Sequence, residues 1–132
     1  MITRYTTPYH YFILPIPHNL IKAVYITYSQ NGDLLFEKNT LDGSISIMEP
    51  DQVDNTVFGT ETNEYNLSNT VLLLHLSQEE TSQFTFYPAA EKNIALIQLR
   101  VISTDGDAYV SRVIRDRIWG TLKQEVVDGE EN

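Results

Sequence analysis

The chain has 132 residues and a mass of 15.1 kDa, the length of one domain. It contains no cysteine, which excludes disulfide scaffolds, zinc knuckles and thiol nucleophiles. A formal charge of −9 repels phosphate backbones and anionic lipids, so we expect neither nucleic acid nor a membrane as a partner.

Alternating apolar residues predict β-strands in the first part of the chain. Prolines at both ends of 9–14 are typical of a strand bounded by residues that cannot donate to a ladder. Asn31-Gly32 predicts a tight hairpin, because both residues tolerate positive φ. The strands are predicted over 9–14, 23–28, 34–38 and 44–48.

The segment from Glu49 to Glu64 has a different character. It holds five acids and no Lys or Arg, which indicates a long exposed excursion. A weak strand is predicted only near Val57-Phe58.

The most apolar segment, Thr70–Leu76, is typical of a strand buried on both faces. Ser77-Gln78-Glu79-Glu80 predicts a capping box and a short helical turn near 77–84. A long alternating strand over 93–104 is expected to turn at Asp105-Gly106-Asp107 into a strand over 108–114. A last half-buried segment is expected to pack through Trp119 and Leu122.

These elements predict an all-β fold, an antiparallel immunoglobulin-like β-sandwich of about seven strands with one short helical turn. A small β-barrel is the alternative. We predict one domain over 1–122 with an acidic insertion at about 49–69, and an acidic C-terminal tail over 123–132. The expected core consists of Phe12, Leu14, Val24, Ile26, Leu72, Leu74, Ile97, Leu99 and Val101.

Residues that could bind a metal or take part in catalysis are scattered along the chain. Among the three histidines, His10, His18 and His75, none has a second ligand at the short spacing typical of metal sites. The favoured interpretation places His10 and His75 at sheet edges, each with one ring nitrogen hydrogen-bonded. No Gly-x-Ser-x-Gly elbow occurs, and each carboxylate pair fits a cap, a turn or the tail. We therefore predict no enzyme activity and no catalytic, cofactor or metal site.

Arg112, Arg115 and Arg117 concentrate positive charge in an otherwise acidic chain. The favoured interpretation is a solvated edge that answers nearby carboxylates. The other is a docking stripe for an acidic partner, such as the acidic excursion of a neighbouring copy, with Val57 and Phe58 adding a strand to a sheet edge. These five residues form the predicted interface, and the insertion is expected to be the main assembly surface.

Several sequence blocks resemble small proteins encoded among the structural genes of prophages and tailed phages of gut bacteria. The resemblance covers most of the chain in order, but it fails over about 49–69 and after Trp119. The blocks are Thr6-Thr7-Pro8-x-His10-x-Phe12-x-Leu14-Pro15, Leu20-Ile21-Lys22 with Ile26-Thr27-Tyr28-Ser29-Gln30-Asn31-Gly32, Leu76-Ser77-Gln78-Glu79-Glu80-Thr81-x-x-Phe84, and Ile97-Gln98-x-Arg100-Val101 with Asp105-Gly106.

The resemblance implies a virion-associated or phage-encoded β-sandwich module without catalysis. Together with the missing catalytic constellation, the expected exposed edge strands and the aromatic excess, it predicts a non-catalytic structural or adaptor protein of a bacteriophage particle that acts through protein–protein contacts. Its expected partners are other virion proteins and further copies of itself in a homo-oligomer. Its expected location is the virion, with the host cytoplasm before assembly. The alternative is a carbohydrate-binding β-sandwich module, in which exposed Tyr residues and Trp119 stack on sugars at a host surface.

Overall fold

The computed structural model describes residues 1–48 and 70–127. Over these residues the chain is an all-β sandwich with one short α-helix, α1 (Gln78–Thr81), and 3₁₀ turns at His18–Leu20 and Ala90–Lys92. The strands are β1 (Ile2–Thr3), β2 (Tyr9–Leu14), β3 (Ile21–Gln30), β4 (Asp33–Asn39), β5 (Ile45–Met48), β6 (Thr70–His75), β7 (Ile94–Ser103), β8 (Ala108–Val110) and β9 (Ile114–Trp119).

Two sheets face each other. The larger sheet has the order β1-β9-β7-β3-β4, with β8 also paired to β7, and the smaller sheet has the order β2-β6-β5. All strand pairs are antiparallel except β1 and β9, which run parallel. The described strands outnumber the seven expected, because β1 was missed and the last strand is split in two.

Turn residues explain how the larger sheet is connected. Asn31 and Gly32 have φ of 50° and 86°, so the predicted hairpin between β3 and β4 is confirmed. Gly106, with φ of 90°, turns β7 into β8 as predicted. Such angles are easy for glycine and rare for residues that carry a Cβ.

The strand opposite β7 is interrupted. Arg100 pairs with Val110, whereas Ile97 pairs with Ile114, so one extra residue is accommodated between β8 and β9. Ser111 bridges the gap, because its hydroxyl accepts from the Leu99 amide at 3.0 Å. The predicted strand over 108–114 is therefore correct for β8 only, and the regular pairing resumes at Ile114.

The core lies between the sheets and largely matches the expected set. All the predicted core residues except Phe12 are buried, and Phe12 is half-buried against them. Thr70, Val71 and Leu72 on β6 are also buried, as expected for a strand covered on both faces. Ile2, Tyr28, Phe84 and Ile118, which are all 0% exposed, complete the core.

The helical turn has the predicted capping box. The Ser77 hydroxyl accepts from the Glu80 amide at 3.1 Å, and the Glu80 carboxylate accepts from the Ser77 amide at 2.8 Å. The same carboxylate lies 2.6 Å from the ammonium of Lys38, a buried residue of β4. The cap thereby ties α1 to the larger sheet.

Side-chain amides hold the irregular segments that follow α1. Gln30 donates to the Thr85 carbonyl at 2.7 Å and accepts from the Thr85 amide at 2.8 Å. Asn93 makes the same pair of bonds with Tyr87, at 2.9 and 2.7 Å. Each side-chain amide bonds both the N–H and the C=O of the residue it faces, as a neighbouring strand would do in a sheet.

A third amide holds the beginning of the predicted tail. Gln78 donates to the Val127 carbonyl at 2.5 Å and accepts from the Val127 amide at 2.7 Å. The expectation that Leu122 is half-buried is wrong: its side chain is fully exposed, because this segment is attached through its main chain. Val57 and Phe58, with the rest of the predicted insertion, lie outside the described residues.

Candidate functional site

A polar cluster connects the two sheets across the sandwich. His10 on β2 has Nδ1 2.7 Å from the hydroxyl oxygen of Tyr28 on β3. Its Nε2 lies 3.8 Å from Oδ2 of Asp116 on β9 and has no hydrogen-bond partner. The other oxygen of Asp116 contacts the amino group of Met1. The cluster borders a cleft of about 360 Å³, which Phe12, Ile97 and Ile114 also line.

Burial keeps both ring groups of this cluster neutral near pH 7. It lowers the pKa of His10, an effect that Asp116 opposes and the Met1 ammonium reinforces. Burial, together with Glu80 and Asp116, raises the pKa of Tyr28 far above its ordinary value. The hydrogen bond therefore joins a neutral phenol to a neutral imidazole. Because Tyr28 is 0% exposed, we interpret the bond as a structural link between the sheets.

The predicted roles of two histidines are confirmed in part. Each has one ring nitrogen hydrogen-bonded, His10 to Tyr28 and His75 to the Thr7 carbonyl at 2.8 Å. His10 lies on an edge strand as expected, but His75 lies on β6, the central strand of the smaller sheet. In the part of the chain covered by the structure, no group of three or more metal-ligating side chains could hold an ion.

The arginines predicted as a stripe belong to the last strands of the larger sheet. Arg115 and Arg117 occupy alternate positions of β9 and are exposed, so they share the outer face about 7 Å apart. Arg112 is exposed in the interruption between β8 and β9, and Arg100 is exposed on β7. We call these four residues the arginine face.

The arginine face carries charge that the described chain does not neutralise. Within residues 1–48 and 70–127, none of its arginines forms an ion pair with a carboxylate. The guanidinium of Arg117 instead lies 4.9 Å from the ring centroid of Trp119. The interpretation of a solvated edge that answers nearby carboxylates stays a prediction, and Arg100 lines one cleft together with Glu37.

A cavity of about 650 Å³ adjoins the arginine face at the end of β9. Trp119 and Phe86 form aromatic walls and are 41% and 46% exposed. Gly120 packs closely on Phe86, since an added Cβ would lie 3.1 Å from the ring. The polar lining includes Arg4 and Gln124, so we call it the Arg4 cavity.

The main chain of Arg4 is fixed by a hydrogen bond, whereas its guanidinium makes few hydrogen bonds to the described residues. Its amide donates to the Trp119 carbonyl at 2.9 Å, which extends the pairing of β1 with β9. Its Nη2 makes one long bond of 3.4 Å to the Ser82 carbonyl, and its Nε is buried without a hydrogen-bond partner. The guanidinium also lies 5.1 Å from the ring centroid of Tyr5. Of its five N–H donors, one makes a hydrogen bond to the described residues.

The turn after Arg4 is strained and firmly anchored. Tyr5 has φ of 62°, a region that bulky residues rarely adopt. The buried Thr81 hydroxyl secures the next residue, because it accepts from the Thr6 amide at 3.1 Å and donates to the Thr6 carbonyl at 2.9 Å. Residues held in such backbone conformations concentrate at functional sites.

Sequence reasoning identified the arginines of β9 and Trp119 but missed Arg4, Phe86 and Arg100. Arg4 and Phe86 are far apart in the chain and meet only because β1 pairs with β9. No local pattern signals that juxtaposition. The alternation of Arg100 with buried residues of β7 was the one available signal, since it places this arginine on an outer face.

Comparison with protein-family models, with curated proteins and with solved structures finds no match for this chain. Among the described residues, no helix is long and apolar enough to cross a membrane.

Proposed function

We propose that the chain is a non-catalytic structural or adaptor protein of a bacteriophage particle, and that it binds an acidic partner protein through the arginine face. The observation that carries the contact is the set of exposed arginines without ion-pair partners in the described residues. In a chain of charge −9, such a patch attracts an acidic surface and sets its orientation. Assignment to a phage particle is supported by the resemblance of the sequence blocks.

We also infer an immunoglobulin-like architecture. The strand order β2-β6-β5 opposite β4-β3-β7-β9 corresponds to the order B-E-D opposite C′-C-F-G of immunoglobulin domains. In this comparison the arginine face lies on the outer surface of the sheet that contains strands C, F and G.

Charge reversal tests the contact. The full chain is co-expressed with the virion proteins encoded beside it, and complexes are measured by size-exclusion chromatography with light scattering. The double variant Arg115→Glu and Arg117→Glu should weaken self-association or partner binding at least tenfold. The control Lys22→Glu and Lys92→Glu has the same charge change on exposed residues elsewhere and should bind within threefold of the wild type.

Two results would contradict the proposal. One is a strict monomer at high concentration that also binds no virion protein. The other is an equal loss of binding in both double variants, which would indicate an effect of net charge alone. Genes for portal, capsid or tail proteins on either side would support the assignment to a particle.

Carbohydrate binding is the second candidate function, favoured by the exposed rings of Trp119 and Phe86 beside the Arg4 cavity. Aromatic rings of this kind present flat apolar surfaces to a ligand. A glycan array with no bound sugar would remove this candidate.

A further inference from the structure

We propose that the Arg4 cavity is an anchor site for an acidic segment of the partner protein. A large aliphatic side chain of that segment would contact Trp119 and Phe86, and a neighbouring carboxylate would bind Arg4. This inference rests on the proposed function, because it specifies the partner that the arginine face receives.

The aromatic walls define the apolar half of the ligand. Trp119 and Phe86 together expose two rings to a cavity of about 650 Å³, which is ample for one leucine-sized or phenylalanine-sized side chain. Buried aromatic contacts of this kind dominate the energetics of protein interfaces. Gly120 keeps its backbone close to Phe86, so this wall has a fixed position.

Arg4 defines the charged half of the ligand. Its Nε has no hydrogen-bond partner and its Nη2 makes one long bond. Because Nε is buried, a carboxylate in the cavity would accept from the terminal Nη groups, which can supply two parallel hydrogen bonds. The turn that presents it is strained at Tyr5 and anchored by Thr81, which is the arrangement expected of a positioned binding residue.

The lining favours an acidic peptide over a sugar. The side chains that line this cavity include the guanidinium of Arg4 and no carboxylate, so their charge favours an anionic ligand over a neutral sugar. The cavity is also continuous with the arginine face, because Arg117 stacks on Trp119. An extended segment with further acids could therefore reach Arg117 and Arg115 while its apolar side chain fills the cavity.

Trp119 is the single tryptophan of the chain, so its intrinsic fluorescence reports on binding in the cavity. The full-length protein is titrated with the capped peptide acetyl-Glu-Leu-Glu-Glu-amide, and the emission of Trp119 is recorded. We expect a saturable change in emission. Replacing the glutamates of the peptide by glutamines, or its leucine by alanine, should weaken binding at least fivefold.

Matched variants assign the two halves of the site. Arg4→Met should weaken binding of the acidic peptide at least tenfold, whereas Lys92→Met should leave it unchanged. Lys92 is the apt control because it is a cation over the ring of Tyr87, as Arg4 is over the ring of Tyr5, and it does not line the cavity. Leu122→Asp adds a negative charge to a fully exposed residue at the rim of the cavity and should weaken binding without affecting the fold. Leu41→Asp makes the same change at an exposed position outside the cavity lining and should leave binding unchanged.

Three outcomes would overturn the inference: no saturable emission change with the acidic peptide, equal affinity of the wild type for the acidic and the glutamine peptides, or full displacement by glucuronic acid at the peptide's own concentration. The peptide assay is independent of virion assembly. A positive titration beside a failed assembly test would reject the phage assignment alone, and the reverse would reject the anchor site alone.

Discussion

His10 is held neutral inside the sandwich, and this makes stability depend on pH. Its pKa is lowered by burial from an ordinary value of about 6.5. Between those two pKa values the unfolded chain binds a proton at His10 that the folded chain does not. The contribution of His10 to stability is therefore complete above pH ~6.5 and decreases as the pH falls toward the lowered pKa.

The variant His10→Gln isolates this effect, since the glutamine amide can still form a hydrogen bond with the Tyr28 hydroxyl but does not titrate. We expect urea unfolding between pH 7.5 and pH 5 to show a smaller loss of stability in the variant than in the wild type. All other titratable residues are the same in both proteins, so the difference between the two pH profiles is assigned to the His10 position. Parallel pH profiles would show that His10 takes up its proton in the folded chain as readily as in the unfolded chain.

Leu99 tests the assignment of the faces of β7. Its side chain is 2% exposed, and Leu99→Ala should lower the free energy of unfolding by about 2–5 kcal/mol, because it leaves a cavity in the core. Leu96→Ala is the matched control, since Leu96 lies on the other face of the same strand and is half-buried. Urea denaturation should show less than half the cost for the control, and equal costs would mean that the inner face was misassigned.

At the scale of elements, the connection between α1 and β7 depends on the Gln30 amide. Gln30→Leu keeps the side-chain size but leaves the Thr85 amide and carbonyl without their partners. The expected cost is about 1–3 kcal/mol for main-chain groups left unsatisfied. Hydrogen exchange should show faster exchange at the Thr85 amide, while amides in the centre of β3 stay protected.

Gln98→Leu provides the control, because it makes the same change at an exposed position. Unchanged protection of Thr85 in Gln30→Leu would mean that packing around Phe84, and not the amide, holds this connection.

The elements that sequence could predict are those with local signals. The hairpin at Asn31-Gly32 and the cap at Ser77 depend on a few neighbouring residues, so both were predicted correctly. β1 has two residues and cannot show a period. In β9 the charged Asp116 stands between Ile114 and Ile118 on the inner face, so the apolar alternation is interrupted.

The polar cluster around His10 was harder to predict, because its residues are distant from one another in the sequence. His10, Tyr28 and Asp116 come from three strands and two sheets, and their individual patterns predict only strand positions. The amides of Gln30, Gln78 and Asn93 likewise bind main-chain groups whose partners no spacing specifies. Long-range contacts of this kind follow from the packing of the sheets and not from local propensity.

At the scale of the whole molecule, positive charges are concentrated in one region of the surface. Four of the nine basic residues form the arginine face, on β7, on β9 and between β8 and β9. The net charge of the chain is nevertheless strongly negative. Such a distribution orients an approaching acidic surface before contact, and the attraction weakens as salt screens it. Binding through this face should therefore be slower to form at high ionic strength.

The parallel pairing of β1 with β9 has a consequence for biosynthesis. Ile2 pairs with Ile118 and Thr3 with Trp119, so the first strand meets its neighbour only after nearly the whole described chain has left the ribosome. At a translation rate of roughly 5–20 residues per second, Ile2 is synthesised several seconds before Ile118, the residue with which it pairs. The Arg4 cavity is assembled in the same final step, because Arg4 and Trp119 are the residues that this pairing brings together. A nascent or truncated chain that lacks β9 therefore lacks the Arg4 cavity and cannot bind a partner there.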